Sequence, residues 1–215
     1  MAKIKLVIFD INHTLIEDNS WEKLNTAFGM TRQEDERLWL ANQKGELSNS
    51  QWVREVNAIF KSRKQANFDK YLGVCNSYTW KPGAKKLVKN LKESGHRIAL
   101  ISGAPDEVVR SIASNLGGVD YRYSGADFVF DKNGTFVSFT YHDEEEKLKL
   151  KQLQYLARDS GIEPSEMAVV ADGANDRPLF EKCGVSITFK NSKLESIATN
   201  IVSSLPEIET ILLPA

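Results

Sequence analysis

The sequence predicts an α/β fold, with a mainly parallel central sheet and a helical segment inserted close to the N-terminus. Three observations carry that prediction. Ile4, Leu6, Val7, Ile8 and Phe9 form a nearly continuous apolar run, the pattern of a strand buried on both faces of a parallel sheet. Residues 16–76 show helical spacing and no convincing strand. From Tyr78 onward strand, turn and helix signals alternate, which is the βα grammar of a parallel sheet.

The bulk properties agree. A chain of 215 residues, 41% hydrophobic, can build one substantial α/β domain with a smaller insert. Its 28 Lys+Arg against 29 Asp+Glu give a formal charge of -1, so no global field draws in nucleic acid or an anionic membrane. Cys75 and Cys183, neither in a CxxC, do not form a disulfide framework pattern. The first apolar run stops at Asp10 without the pattern of a signal peptide. No stretch approaches the roughly 20 apolar residues that cross a bilayer. The expectation is a soluble, cytoplasmic protein.

Taken in order, the first strand runs into the polar set Asp10, Asn12, His13 and Thr14. Trp21, Leu24, Ala27 and Phe28 recur at helical spacing, with Asn19 or Ser20 placed as the cap and Gly29 as the stop. Further helices cover Arg32–Gln43, the span from Ser50 to Phe60, and Phe68 to Leu72. Pro82 and Gly83 open a helix that Gly95 ends. Arg97–Ile101 is a strand delivering Ser102 and Gly103, and Pro105 opens the next helix. Asp127–Phe130 and Thr135–Phe139, joined by Asp131-Lys132-Asn133-Gly134, read as a β-hairpin beside the main sheet. A long helix runs from Glu144 to Ser160, beginning in the acidic run Asp143–Glu146, and Met167–Ala171 is a central strand ending in Asp172-Gly173-Ala174-Asn175-Asp176. Then follow a helical Arg177–Cys183, a strand Val185–Phe189, a short helix Leu194–Ala198, an edge strand at Ile201 and Val202, and a last helix near Pro206–Leu212.

A parallel sheet brings its strand carboxyl ends onto one edge, where open α/β folds bind ligands. That edge would gather Asp10 with Asn12, Ser102, one of Lys147, Lys149 and Lys151, and Asp172 with Asn175 and Asp176. Carboxylates there suit a hard cation with oxygen ligands, Mg²⁺ first; Ca²⁺ can occupy the same kind of site. A hydroxyl, backbone amides and a lysine suit phosphate oxygens.

These ordered motifs resemble the haloacid dehalogenase (HAD) superfamily phosphatases, in the phosphoserine phosphatase-like branch with a helical cap. Asp10-Ile11-Asn12-His13-Thr14 stands for DxDx[TV], Ser102 for the second motif, Lys149 for the third by its offset to Gly161-Ile162, and Ala171–Asp176 for the fourth, usually GDGxND. The resemblance implies a Rossmann-like core of residues 1–15 and 77–215 and a cap of residues 16–76. It implies a Mg²⁺-dependent phosphomonoester hydrolase acting on a small phosphorylated metabolite through an aspartyl-phosphate. Asp10 would be the nucleophile, with Asn12 and Lys149 also catalytic. Asp10, the Asn12 carbonyl and Asp172 would bind the metal, with Asp176 supporting them. Asn12, His13, Ser102, Gly103, Lys149 and Asn175 would hold phosphate. In the cap, the positions that select substrate fall on Asn19 and Arg54.

Asn12 departs from the family, which has an aspartic acid there to protonate the leaving oxygen and activate water. An amide cannot shuttle that proton. The departure implies an impaired enzyme, and it keeps open a noncatalytic phosphate-ligand binding or regulatory protein, or a phosphotransferase. Asn19, where the family has an acid, weakens phosphoserine as the substrate.

Overall fold

The computed structural model describes residues 3–142 and 144–213. Asp143, in the predicted acidic helix start, lies outside them. Strand β1 (Leu6–Phe9) is wholly buried. It pairs in parallel with β2 (Arg97–Ile101) on one side and β6 (Met167–Val170) on the other. With β3 (Tyr121–Tyr123), β7 (Val185–Phe189) and β8 (Asn200–Val202) these make a six-stranded sheet of order β3-β2-β1-β6-β7-β8, parallel at every pair. The strand reversal falls at β1, so its carboxyl end faces the crevice where such sheets bind ligands.

Alternate residues of the central strands feed two cores, as a period of two requires. Val7, Phe9, Ile98, Leu100, Ala168 and Val170 face one side; Leu6, Ile8, Ala99, Ile101, Met167 and Val169 face the other. The first side is covered by α5 (Ala84–Glu93) and α6 (Asp106–Asn115), whose Leu87, Val88, Leu91, Val109 and Ile112 are buried. The second is covered by α7 (Glu145–Ser160) through Leu153 and Leu156 and by α8 (Arg177–Phe180) through Leu179 and Phe180. A short α9 (Ile208–Leu212) closes the described chain.

The inserted region is helical: α1 (Ser20–Ala27), α2 (Arg32–Gln43), α3 (Asn49–Arg63) and α4 (Phe68–Cys75). Side chains set these boundaries. Asn19 caps α1, and Thr31 and Ser48 form capping boxes with Glu34 and Gln51. The two connections to the core run side by side, with Glu17 N–H donating to Thr79 O at 2.9 Å and Lys81 N–H to Leu15 O at 2.9 Å. Among the described residues no helix is long and apolar enough to cross a membrane.

Strands β4 (Ala126–Phe130) and β5 (Phe136–Tyr141) form the expected hairpin, its turn closed by Asp131 Oδ1 accepting from Asn133 and Thr135 N–H. Its location corrects the sequence reading: it docks on the inserted helices, not beside the main sheet. Its aromatic face decides this. Phe128 stacks on Tyr71 at 4.8 Å and on Phe139 at 5.2 Å, and Phe60 meets Phe136 edge-on at 5.5 Å. Asn57 of α3 pins β5 by accepting from Phe139 N–H at 2.9 Å and donating to Phe139 O at 3.0 Å. Phe139 is 1% exposed, so Phe139→Ala should cost about 3–5 kcal/mol in chemical denaturation.

Two smaller corrections concern short elements. Leu194–Ala198 forms successive turns and no helix, held by Ile197 and Ala198 N–H on Leu194 O and by Leu194 N–H on Ser192 Oγ. Strand β3 escaped the sequence reading because it is three residues long, too short for its Tyr-Arg-Tyr alternation to stand out, and it lies at the sheet edge beside β2.

Candidate active site

Three neighbouring strand ends build the site. Phe9 is in register with Leu100 and Val170, so Asp10, Ser102 and Asp172 emerge close together after β1, β2 and β6. From the opposite layer α7 turns Lys149 inward on the same face as Leu153 and Leu156. Its Nζ meets Asp10 Oδ1 at 2.6 Å, Ile101 O at 3.0 Å and, as an ion pair off the line of a hydrogen bond, Asp176 Oδ1 at 2.7 Å. Three acceptors thus surround the three N–H groups of a fully buried ammonium. The other two candidate lysines stay outside: Lys147 pairs with Glu144 at 2.6 Å and Lys151 is exposed.

Carboxylates outnumber the cation here. Burial pulls the Lys149 ammonium down, but Asp10 and Asp176 outweigh it and raise its affinity for a proton. Burial pushes Asp176 above the usual carboxyl range and Asp10 adds to that, against the pull of Lys149. Asp172 is likewise raised by burial and by Asp10, while the Thr14 hydroxyl, donating to its Oδ1 at 2.8 Å, lowers it. Asp176 Oδ2 is buried with no hydrogen-bond partner. Lys81 also acts on Asp172, so three carboxylates stand against Lys149 and Lys81, a set that a further cation would balance.

No group of three or more His, Cys, Asp or Glu side chains is placed to hold a metal among the described residues. A cation would rest on two carboxylates, Asp10 and Asp172, and the Asn12 carbonyl. That donor set fits Mg²⁺, which takes one or two protein carboxylates and keeps several waters.

The loop after β1 is tight: Thr14, Leu15 and Ile16 N–H all turn back to Ile11 O, and His13 takes a left-handed φ of 55°. Asn12 Oδ1 accepts from Ser20 N–H at 3.0 Å. Because only the oxygen can accept, that bond fixes the amide, and its NH₂ is left to donate. His13 is exposed, with Nδ1 2.9 Å from Glu17 O. Ser102 is buried, and its Oγ accepts from Ala104 N–H at 3.2 Å, leaving the hydroxyl hydrogen for an incoming oxygen. Gly103 is pressed against Gly125, where an added Cβ would lie 2.6 Å from Gly103 O. Asn175 lies over Gly173, where a Cβ would meet its Oδ1 at 2.3 Å. Ala171, where the family motif has glycine, is not among the positive-φ residues and its side chain costs nothing.

Of the two cap positions, Asn19 lies next to Ser20, whose N–H is bonded to Asn12. Asn19 spends its oxygen on Trp21 and Glu22 N–H as the cap of α1. Arg54 is exposed on α3, while Val56 and Phe60 of that helix face the core. Three contributors were not singled out from the sequence for what they do here. Thr14, named there only as part of the first motif, ties the β1 loop to Asp172; Ser192 Oγ donates to Asp172 O at 2.9 Å; and Trp21 Nε1 donates to Gly103 O at 3.0 Å. Thr14 stood in the motif and could have been found; the other two have no local signal.

Residues 7–181 match the haloacid dehalogenase-like hydrolase family. The chain belongs to that family. It is 30% identical over 190 residues to the phosphoserine phosphatase of Lactococcus lactis subsp. lactis (strain IL1403), covering 88% of this chain and 85% of that protein. It is 27% identical over 203 residues to the phosphoserine phosphatase of Archaeoglobus fulgidus, covering 93% of this chain but only 56% of that longer protein. A solved phospho-aspartyl intermediate analogue of phosphoserine phosphatase superposes with a TM-score of 0.80 at 26% identity, covering 98% of this chain and 99% of that one. Within the HAD family, then, this chain has the fold of the phosphoserine phosphatase-like branch, with a helical cap region.

Proposed function

We propose that this chain is a Mg²⁺-dependent phosphomonoester hydrolase of small phosphorylated metabolites, slowed by Asn12. Residues 1–15 and 77–215 would form its catalytic core and 16–76 its cap, with the 126–141 hairpin completing the cap. We read it as a cytoplasmic enzyme. The observation that carries this reading is the buried Lys149 gripping Asp10 Oδ1 beside Asp172.

With Oδ1 held, Asp10 Oδ2 is the free oxygen to attack phosphorus, giving an aspartyl-phosphate. The Ser102 hydroxyl and the Asn12 NH₂ donate to phosphoryl oxygens; His13, Gly103 and Asn175 line the same loops. Lys149 orients Asp10, and would reach phosphate only by exchanging one of its present bonds. Asp10, the Asn12 carbonyl and Asp172 would hold Mg²⁺, which supplies neutralising charge to the phosphoryl group. Water then returns Asp10, without a carboxylate at position 12 to activate it.

Asn12→Asp should raise phosphate release from small alkyl monoesters by about 10²–10⁴-fold. No release by either protein with Mg²⁺ present would favour the second reading, a phosphate-ligand binding or regulatory protein, which Asn12 itself motivates. Phosphoserine is weakened as the substrate, because Asn19 stands where the family has an acid and its oxygen caps α1, while Arg54 is retained.

The raised carboxyls give Mg²⁺ binding a pH signature. A carboxyl whose folded pKa is raised stabilises the fold below its unfolded pKa, and that stability is lost as pH rises through the folded value. The metal-free protein should therefore lose stability between about pH 4 and pH 8 from Asp172 and Asp176. Mg²⁺ at roughly 100 times its Kd should restore about 2.7 kcal/mol, and its increment in Tm should grow from pH 5 to pH 8.

A further inference from the structure

The proton-carrying groups around Asp10 are engaged away from a departing oxygen: Asp176 is fully buried against Lys149, and the Lys81 ammonium, which also acts on Asp172, lies over the Phe189 ring at 4.1 Å. Lys149 has its three N–H groups among Asp10, Ile101 O and Asp176. Thr14 donates to Asp172, and His13 is exposed with Nδ1 at Glu17 O. Asn12 offers an amide NH₂, and Ser20, whose N–H holds Asn12, carries a hydroxyl that is buried and has no hydrogen-bond partner. Amide and hydroxyl donate hydrogen bonds but do not release protons near neutral pH.

Trp21 brings an aromatic cluster against the loop that carries Ser102 and Gly103. Among the described residues of 16–76 the buried polar side chains are Ser20 and Asn25, and neither is charged. Trp21 sets its indole N–H on Gly103 O at 3.0 Å. Around it stand Phe139 at 5.4 Å, Trp52 at 5.5 Å, Phe128 at 5.8 Å and Tyr141 at 5.9 Å between ring centroids. Trp21, Trp52 and Tyr141 are only partly buried, so ring edges remain for a flat leaving group.

We infer that the substrates of this site are phosphate esters whose oxygen leaves as a stable anion, aryl phosphates first among them. The inference rests on the hydrolase reading above. A phenolic oxygen leaves as an anion of pKa about 10, as for tyrosine, whereas a simple alkoxide is far more basic, close to hydroxide. Asp10 Oδ2 forms the new P–O bond as the P–O bond to the aryl oxygen breaks, and the electron pair leaves with the phenolate. The Asn12 NH₂ and Ser20 hydroxyl stabilise that anion by hydrogen bonds, and it takes a proton from solvent after release. Water then adds to phosphorus, the P–O bond to Asp10 breaks, and both water hydrogens end on orthophosphate.

The test compares kcat/KM with Mg²⁺ for 4-nitrophenyl, phenyl and ethyl phosphate, in the natural chain and in Asn12→Asp. The natural chain should favour 4-nitrophenyl over ethyl phosphate. Asn12→Asp should raise the ethyl ester by about 10²–10⁴-fold and the 4-nitrophenyl ester by less than about 10-fold. Acetyl phosphate, which leaves as a stable anion but has no ring, should show a higher KM than phenyl phosphate. Equal gains on the ethyl and 4-nitrophenyl esters would overturn the anion argument, and equal KM for acetyl and phenyl phosphate would overturn the aromatic preference. Turnover of no ester by either protein would instead remove the hydrolase reading and this inference with it.

Discussion

Asp10→Ala is expected to reduce turnover by on the order of 10⁴-fold or more, the scale seen when a covalent nucleophile is lost. The same change should abolish a phosphate adduct that intact-mass measurement detects on the natural chain after brief exposure to 4-nitrophenyl phosphate and Mg²⁺. Both expectations follow from one arrangement. Asp10 lies at the carboxyl end of the central strand, with one oxygen anchored by a buried ammonium and the other unclaimed. The adduct should be easier to see in the natural chain than in Asn12→Asp, because an amide at position 12 cannot take a proton from the attacking water. An adduct that persists in Asp10→Ala would assign the chemistry to another residue.

Lys149→Met is expected to cost about 3–5 kcal/mol of stability near neutral pH, because it leaves buried carboxylates without their partner. Lys149 is fully buried, Asp176 is fully buried and Asp10 is nearly so. Loss of the ammonium removes the main influence that lowers the Asp176 carboxyl, so that group rises further. The sign of the pH response follows. A raised carboxyl favours the folded state while it is protonated and penalises it as pH climbs through the folded pKa. Denaturant midpoints of Lys149→Met should therefore recover on moving from pH 8 to pH 5, more than those of the natural chain. A pH-independent loss would mean that Lys149 contributes packing alone. Activity should fall as well, since Asp10 loses the contact that fixes its attacking oxygen.

The site was largely legible because strand carboxyl ends are marked locally: apolar branched runs end in Asp10, Ser102 and Asp172, and a parallel sheet must set such ends side by side. Lys149 was separable from Lys147 and Lys151 only by its offset to the motif that follows; its burial gives that offset a physical meaning, since it lies on the apolar face of α7 while its neighbours point to solvent or to Glu144. Arg54 was not legible in this way. Helical spacing says which residues share a face, but which face meets the crevice depends on how α3 packs, and it packs with Val56 and Phe60 inward. Asn19 carried two readings, and the helix cap is the one its oxygen satisfies.

The amino-acid sequence alone determined the α/β class, the helical insert, the hairpin turn and the chemical identity of the strand-end groups, because each depends on residues within a few positions of one another. Tertiary structure alone decided where the hairpin docks, that Thr14 reaches Asp172, and that Trp21 rests on Gly103, contacts that span 158 and 82 residues for the latter two. Their physical reason is burial: the hairpin's aromatic face and the cap's aromatic face each exclude water only by meeting the other, and no local pattern states which apolar surface will be the partner.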